Sequence, residues 1–401
     1  MLPRVGLVLT GGGARAAYQV GVLKGLSEIA GRPQASPFAV LCGTSAGALN
    51  AAALAARADH FAAGVDWLYE AWRSFHAVHI YRTDRWAVAR AGLRWFGSLA
   101  QLYRRNPMAL LDNTPLRQLL LRDMDFDRIR ANLSQGQIEA LAITVSGYTS
   151  SSSVTFYESA RNLPGWHRPQ RQGVPTRLKV EHLLASSAIP FRFPSIRIDG
   201  EYFGDGSMRQ TAPISPALHL GANRVVVVGT GRQSASNNSA RAAAAGGTSA
   251  ASATSATSAT SVANEGVPRY PSVAQIAGHA LNSIFLHALE QDIEWLQRIN
   301  GLVDSTPAEF RERMPFRAVE ALVISPSQPI ELLAARAAHE LPASIKFLLK
   351  PLGGMNRGGA NMTSYLLLEP GFVQSLVELG FNGTMARRGE VLAFLRPHAQ
   401  T

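Results

Sequence analysis

Gly43-Thr44-Ser45-Ala46-Gly47 is the motif around which the rest of this chain can be read. The apolar residues 38–42 before it have the character of a short strand, and the alanine-rich residues 48–56 after it favour a helix. A serine on a sharp turn between a strand and a helix is typical of a nucleophile elbow, in which its backbone is strained. We therefore predict Ser45 as a nucleophile, with Gly43 and Gly47 letting the strand and the helix approach closely. The alternative is a glycine-flanked turn in which Ser45 only caps the helix.

A second glycine-rich segment, Gly11-Gly12-Gly13-Ala14-Arg15, follows a predicted buried strand over 5–10 and precedes a segment, 16–26, with helical spacing. Glycines between a strand and a helix leave backbone N–H groups available to hold an anion. The loop is therefore either a phosphate cradle or an oxyanion hole that serves a serine on the next strand. Nucleotide motifs fit poorly, because no Walker lysine follows and Ala16 stands where a dinucleotide fingerprint needs its last glycine. Beside an oxyanion hole, Arg15 would contact an anionic headgroup; the alternative is a surface arginine that only caps and pairs.

The composition is that of a globular protein. A chain of 401 residues, 46% hydrophobic and 17% charged, can bury a large core in one domain or two. The single cysteine, Cys42, excludes an internal disulfide and is expected to pack as a small apolar residue. The apolar N-terminal segment is too short for a signal peptide, and no apolar run reaches about 18 residues. We therefore expect a cytoplasmic protein, which can also associate peripherally with the inner membrane surface.

The charge balance predicts a polyanionic partner. The net charge is +11, and arginine carries nearly all of the positive charge. Because no nucleic-acid-binding motif occurs, we expect an anionic membrane surface and no nucleic acid. Residues 82–105 interleave arginines with aromatic side chains, which is typical of a helix lying on an anionic membrane. In the alternative interpretation these aromatics face the core, and the arginine content reflects composition alone.

The chain divides into three parts. Residues 1–230 form a predicted core with strands over 138–145, 154–157 and 224–229, and with a hairpin over 196–203 whose Asp199-Gly200 turn precedes Gly204-Asp205-Gly206. Residues 231–266 are rich in serine, alanine and threonine and are predicted to be a flexible insertion. Residues 267–401 are predicted to be mostly helical, with one strand over 318–324 and a mobile glycine loop over 353–359, and to complete or cover the core.

Three motifs, taken in this order, resemble the patatin-like phospholipase family: the loop 11–15, the elbow 43–47 and Asp205-Gly206. The resemblance covers roughly residues 5–230 and includes the stretch 186–190. It implies an α/β fold, a three-layer α/β/α sandwich with a mainly parallel central sheet, plus a C-terminal helical region. It also implies a serine lipid acyl hydrolase with a Ser/Asp dyad: Ser45 the nucleophile, Asp205 the base, and the backbone of Gly11, Gly12 and Gly13 the oxyanion hole. Ala16 and Ser207 depart from the family pattern.

The predicted chemistry is hydrolysis of a fatty acyl ester in a phospholipid or lysophospholipid through an acyl-enzyme. A serine hydroxyl needs an adjacent base, and burial against apolar walls would raise the basicity of Asp205. A Ser-His-Asp triad is the rival, with a histidine from positions 219, 279, 287, 339 or 398. Two further possibilities are an acyl hydrolase or acyltransferase for another lipid or polyester, and a non-catalytic membrane lipid-binding protein. No cofactor and no metal are predicted, and the sequence does not indicate the oligomeric state.

Overall fold

The computed structural model describes residues 4–80, 111–190, 192–232, 272–311, 313–314, 316–351, 353–355 and 359–396. The predicted membrane segment 82–105 lies outside the described residues. So do nearly all of the predicted insertion 231–266, part of the glycine loop 353–359, and His398. The account below concerns the described residues.

The strands form one mixed sheet of ten strands, in which the order β10-β9-β1-β2-β3-β4-β6-β5 runs across the sheet and the hairpin of β7 and β8 joins at β3. The strands β10, β9, β1, β2 and β3 are parallel to one another, whereas β4 and β8 both run antiparallel to β3. Their bounds are Val5–Leu9 (β1), Val40–Thr44 (β2), Ala140–Gly147 (β3), Ser153–Ser159 (β4), Trp166–Arg168 (β5), Arg171–Pro175 (β6), Ile196–Ile198 (β7), Glu201–Asp205 (β8), Arg224–Val228 (β9) and Glu320–Ile324 (β10).

The α-helices lie between and after these strands. Their bounds are Ala17–Ile29 (α1), Ala46–Ala55 (α2), Phe61–Arg73 (α3), Ala77–Ile80 (α4), Thr114–Asp123 (α5), Phe126–Ser134 (α6), Val180–Ser186 (α7), Ser215–His219 (α8), Val273–Ser305 (α9), Ala308–Arg311 (α10), Ile330–Ala337 (α11), Ala343–Leu349 (α12), Ala360–Ser364 (α13), Pro370–Ala386 (α14) and Arg388–Leu395 (α15). Short 3-10 turns occur at Gly13–Ala16, Ala58–His60, Gly206–Met208 and Ala338–Glu340. None of the described helices is long and apolar enough to cross a membrane.

Both faces of the parallel strands are buried, because alternate residues of one strand enter two different apolar clusters. Leu7 and Leu9 of β1 pack with side chains of α1, α2 and α14. Val8, between them, packs with side chains of α8 and α9. A parallel sheet covered by helices on both faces is the three-layer α/β/α arrangement that the sequence predicts.

The region beyond residue 272 contributes directly to this arrangement. Strand β10 extends the parallel sheet at its edge beside β9. Helix α14 crosses α1 at glycines: a Cβ atom on Gly21 would lie 2.0 Å from the carbonyl oxygen of Val377, and one on Gly380 would lie 2.2 Å from the carbonyl oxygen of Tyr18. Only residues without side chains allow two helices to approach this closely. Helix α14 is therefore packed tightly on the helix that follows the glycine loop.

The structure contains two strands, β5 and β6, that were not predicted. The hairpin of β7 and β8 has the predicted Asp199-Gly200 turn, in which both residues have positive φ angles, of 45° and 91°. Such a turn matches the right-handed twist of the two strands. Strand β8 begins directly after this turn, at Glu201, and ends at Asp205.

Candidate active site

The strand–turn–helix around Ser45 has the geometry of a nucleophile elbow. Strand β2 ends at Thr44, α2 begins at Ala46, and Ser45 between them has a φ angle of 54°. An L-residue in this conformation is strained by about 1–3 kcal/mol. A Cβ atom on Gly43 would lie 2.4 Å from the carbonyl oxygen of Gly47, and one on Gly47 would lie 2.3 Å from the carbonyl oxygen of Leu9. Both predicted glycines are therefore required by close backbone contacts.

Asp205 lies at the end of β8, where this strand pairs with β3. The Ser45 hydroxyl donates a hydrogen bond of 2.5 Å to Asp205 Oδ2, and the backbone N–H of Ser207 donates one of 2.9 Å to Asp205 Oδ1. Both catalytic candidates are almost fully buried, with exposed fractions of 2% for Ser45 and 1% for Asp205. The structure thus brings together two residues that are 160 positions apart in the chain.

The carboxyl group of Asp205 is a stronger base than a solvated aspartate. Burial disfavours its charged form and raises its pKa to about 6. The hydrogen bonds from Ser45 and Ser207 and the positive charge of Arg192 lower this pKa, but their effect is smaller than that of burial. A carboxyl with this pKa is mostly ionised at neutral pH and accepts a proton more readily than one with a pKa near 4. It can therefore serve as a general base for the hydroxyl that donates to it.

Ser186 holds the backbone of the nucleophile. Its hydroxyl accepts a hydrogen bond of 2.8 Å from the N–H of Ser45 and donates one of 2.7 Å to the carbonyl oxygen of Thr144. Ser186 is the last residue of α7, and this helix packs against β3. The family resemblance includes the stretch 186–190, but the role of Ser186 was not predicted.

The three glycines of the loop 11–13 have different surroundings. The carbonyl oxygen of Gly11 accepts a hydrogen bond of 2.6 Å from the Thr230 hydroxyl. Gly12 packs against the same threonine, since a Cβ atom on Gly12 would lie 2.5 Å from Thr230 Oγ1. Gly13 is half-buried and lines the cavity beside Ser45. Among the hydrogen bonds that described residues make with one another, none uses the N–H of Gly12 or Gly13.

Ala46 supplies a second candidate donor for an oxyanion. It is the first residue of α2, so its N–H has no acceptor within the helix, and it lines the same cavity as Gly13. The positive end of the helix dipole lies at the same place. Gly13 and Ala46 both line this cavity together with Ser45, so their N–H groups are candidate donors to an oxyanion.

The cavity beside Ser45 has mostly apolar walls. They come from α2, α3, α5 and the segment after α7, and also from the C-terminal region. Among the described residues, the apolar side chains that line it are Leu49, Trp72, Phe75, Ile80, Leu116, Ile189, Phe193 and Leu368. Such walls suit a hydrocarbon chain and keep water from the buried carboxyl.

Arg15 does not have the surroundings that the sequence analysis expected. Its guanidinium is 1% exposed and donates hydrogen bonds to Ser364 Oγ at 2.7 Å, Asn361 Oδ1 at 2.5 Å and Asn282 Oδ1 at 3.2 Å. It also lies over the ring of Tyr365, 4.1 Å from the ring centre, and burial lowers its pKa. Arg15 is not among the described residues that line the cavity. Its donors bind side chains of α9 and α13 rather than a headgroup.

No histidine is among the described residues that line the cavity beside Ser45. His219 stacks on Trp166 with ring centres 4.6 Å apart and lines a different cavity with Asp292. His339 Nδ1 lies 2.9 Å from the carbonyl oxygen of Arg336, to which it donates when it carries the proton. Ser45 donates to a carboxylate, as a dyad requires, so the geometry of the described residues offers no support for a triad. Nor do these residues contain a cluster of three or more His, Cys, Asp or Glu side chains that could hold a metal.

Comparison with known proteins identifies the family of this chain. A family model described as patatin-like phospholipase matches residues 7–218. The chain belongs to this family. It is 28% identical over 221 residues to a cGAMP-activated phospholipase from Pseudomonas aeruginosa, and the match covers 53% of this chain and 55% of that protein. The matched segment is thus about half of that relative's length.

Two solved structures are also similar to this patatin-like chain. Human GIVD cytosolic phospholipase A2, in complex with methyl gamma-linolenyl fluorophosphonate, is 13% identical, with 98% of this chain and 58% of that chain covered and a TM-score of 0.45. VipD from Legionella pneumophila is 14% identical, with 99% and 89% covered and a TM-score of 0.30. The motifs on which the family resemblance rests, the loop 11–15 and the elbow 43–47, lie within the matched residues of the family model, and so does Asp205.

Proposed function

We propose that this protein hydrolyses fatty acyl esters of phospholipids or lysophospholipids through an acyl-enzyme on Ser45, with Asp205 as the base. The observation that carries the proposal is the 2.5 Å hydrogen bond from the Ser45 hydroxyl to a buried carboxyl whose pKa is raised to about 6. Membership of the patatin-like phospholipase family and the apolar cavity walls support a lipid ester as the substrate.

Acylation follows from this geometry. The Ser45 oxygen attacks the ester carbonyl carbon while its proton passes to Asp205 Oδ2. The N–H groups of Gly13 and Ala46 stabilise the negative oxygen of the tetrahedral intermediate. The bond to the leaving alcohol then breaks, the alcohol takes the proton from Asp205, and the acyl group stays on Ser45 as an ester.

Deacylation repeats these steps with water. Asp205 accepts a proton from a water molecule, whose oxygen attacks the acyl carbon, and the same two N–H groups hold the second oxyanion. Collapse of this intermediate releases the fatty acid, and Ser45 regains a proton from Asp205. If an alcohol took the place of water, the product would be a new ester, so adding an alcohol acceptor and analysing the products separates hydrolysis from acyl transfer.

A fluorophosphonate probe followed by intact mass tests the proposal directly. The wild type is expected to gain one adduct, Ser45→Ala none, and Asp205→Asn far less than the wild type at equal time. Ser187→Ala is the matched control, because Ser187 lines the same cavity and has no part in the proposed steps. The proposal would be wrong if the folded wild type stayed unlabelled both with and without phospholipid vesicles, or if Ser45→Ala were labelled as fast as the wild type.

Fatty acid release from phospholipid and lysophospholipid is then measured with the same four proteins. Release by the wild type and by Ser187→Ala, but not by Ser45→Ala, is the expected result. Labelling of Ser45 without release from any lipid would favour another acyl ester as the substrate. The expected cytoplasmic location and the binding to an anionic membrane stay predictions; the net charge of +11 supports the second of them.

A further inference from the structure

Among the described residues that line it, the cavity beside Ser45 has one cationic side chain and no acidic one. Arg192 is the single charged residue among the described residues that line it. The sequence predicts an anion contact at Arg15, but the guanidinium of Arg15 is buried and donates to Ser364, Asn361 and Asn282. Within the part of the chain that the structure describes, the positive charge in the wall of this cavity is therefore that of Arg192.

The backbone around Arg192 is anchored. The N–H groups of Arg192 and Phe193 both donate to the carbonyl oxygen of Ile189, at 3.1 and 2.9 Å, and the carbonyl oxygen of Arg192 accepts a hydrogen bond of 2.8 Å from Leu111. The guanidinium lies 5.4 Å from the ring centre of Phe193, which is itself buried. Arg192 thus extends from a fixed turn in the cavity wall.

The charge of Arg192 acts on the candidate dyad. It lowers the pKa of Asp205, although burial has the larger and opposite effect. The guanidinium therefore lies within electrostatic range of the carboxylate that would take the proton from Ser45. A cation at this place would also be close to a negative group that is a few bonds away from an ester held at Ser45. In a glycerophospholipid, the phosphate is such a group.

We propose that Arg192 contacts the phosphate of the lipid headgroup and thereby makes the enzyme prefer phospholipid esters over neutral esters. This inference rests on the proposed function, since it concerns the substrate held at Ser45. Guanidinium and phosphate form charge-assisted hydrogen bonds that are stronger than those between neutral groups. The apolar walls hold the acyl chain, and Arg192 is the group that distinguishes a headgroup with a phosphate from one without.

The test compares a lysophosphatidylcholine with a monoacylglycerol that has the same acyl chain, at pH 8, where Asp205 is ionised. Arg192→Gln is expected to lower kcat/KM for lysophosphatidylcholine by about ten- to a hundredfold. The value for monoacylglycerol should fall by less than about threefold, because this substrate has no phosphate. Arg192→Lys retains the charge but not the planar pair of donors and should lie between the wild type and Arg192→Gln.

Two other arginines serve as controls. Arg197→Gln removes an exposed charge from β7 and should leave kcat/KM for both substrates unchanged. Arg15→Gln removes buried hydrogen bonds between the glycine loop and helices α9 and α13. It should therefore lower the melting temperature and reduce kcat/KM for both substrates alike. Inorganic phosphate at the concentration of the lipid is expected not to inhibit, because it lacks the acyl chain; inhibition that disappears in Arg192→Gln would indicate a site for free phosphate instead.

An equal loss on both substrates in Arg192→Gln, with normal fluorophosphonate labelling of Ser45, would overturn the headgroup contact and leave the proposed function intact. A folded wild type that neither labels nor hydrolyses either substrate would overturn both. If Arg192→Gln fails to fold, Arg192→Lys decides the matter: a raised KM for lysophosphatidylcholine alone supports the contact, and unchanged or equally changed constants refute it.

Discussion

Replacing Asp205 by asparagine is expected to stabilise the folded protein at neutral pH while it abolishes hydrolysis of the acyl ester. Burial raises the pKa of Asp205 from 3.8 to about 6, so the folded protein binds this proton more tightly than the unfolded chain does. The contribution of Asp205 to the free energy of unfolding therefore falls as the pH rises from about 4 to about 6, and it stays low above that range. Asparagine is neutral at every pH and does not have this dependence.

The magnitude follows from the size of the pKa shift. A rise of about two units, at about 1.4 kcal/mol per unit, corresponds to about 3 kcal/mol between the two ends of the pH range. An asparagine side chain can keep both local hydrogen bonds, because its oxygen can accept from the Ser207 N–H and its amide can donate to Ser45 Oγ. The difference in free energy of unfolding between Asp205→Asn and the wild type should thus grow by about 3 kcal/mol from pH 4 to pH 7.

Urea denaturation of both proteins between pH 4 and pH 8 measures this difference, and taking the difference cancels the titration of the other groups. Asp292→Asn is a matched control. Asp292 is half-buried, and desolvation raises its pKa to about 6 as well. It lines the cavity of His219, however, and accepts a hydrogen bond from the N–H of Ile214. It should show the same trend in stability and keep normal labelling of Ser45. A difference for Asp205→Asn that does not change with pH would refute the argument from burial.

A pH profile and two substitutions give three further tests, the first two at the candidate dyad and the third at the contact between α1 and α14. The kcat/KM of the wild type should rise with pH and reach half of its plateau near pH 6, as Asp205 ionises; initial rates from pH 4.5 to 8 check this. Ser45→Gly should gain about 1 kcal/mol or more in stability, because glycine tolerates the φ angle of 54°, and it should lose all labelling; denaturation and intact mass measure the two effects. Gly21→Ala should destabilise the protein by about 1–3 kcal/mol or more, since its Cβ would lie 2.0 Å from the carbonyl oxygen of Val377; denaturation tests it.

The elbow could be predicted from the sequence because its geometry is local. Strand, turn and helix follow one another within about fifteen residues, and the glycines at 43 and 47 are needed for contacts inside that unit and with the neighbouring strand. Asp205 is different, because it lies 160 positions from Ser45 and no spacing rule connects the two. Its assignment came from the family resemblance. The structure adds the physical basis, namely that β8 ends beside β3 and directs Asp205 to the elbow.

Features that depend on distant partners or on weak local signals could not be predicted from the sequence. The strands β5 and β6 are short, lie at one edge of the sheet, and contain a glycine and a proline, so their pattern does not stand out from a loop. The environment of Arg15 depends on side chains 267 to 349 positions further along the chain. An arginine after a glycine loop looks the same in the sequence whether it faces a ligand or a neighbouring helix.

The glycine loop depends on residues that lie beyond the family match, which ends at residue 218. The N–H of Ala14 donates to the carbonyl oxygen of Tyr365 at 3.2 Å, and a Cβ atom on Gly13 would lie 2.6 Å from that same oxygen. The next residue, Arg15, stacks on the ring of Tyr365. The backbone of this loop, which lines the cavity at Gly13, is thus supported from the C-terminal side. A substitution that loosens the packing around Tyr365 should therefore disturb the candidate oxyanion hole more than it disturbs Ser45 or Asp205, because the contacts of these two residues lie within the matched residues.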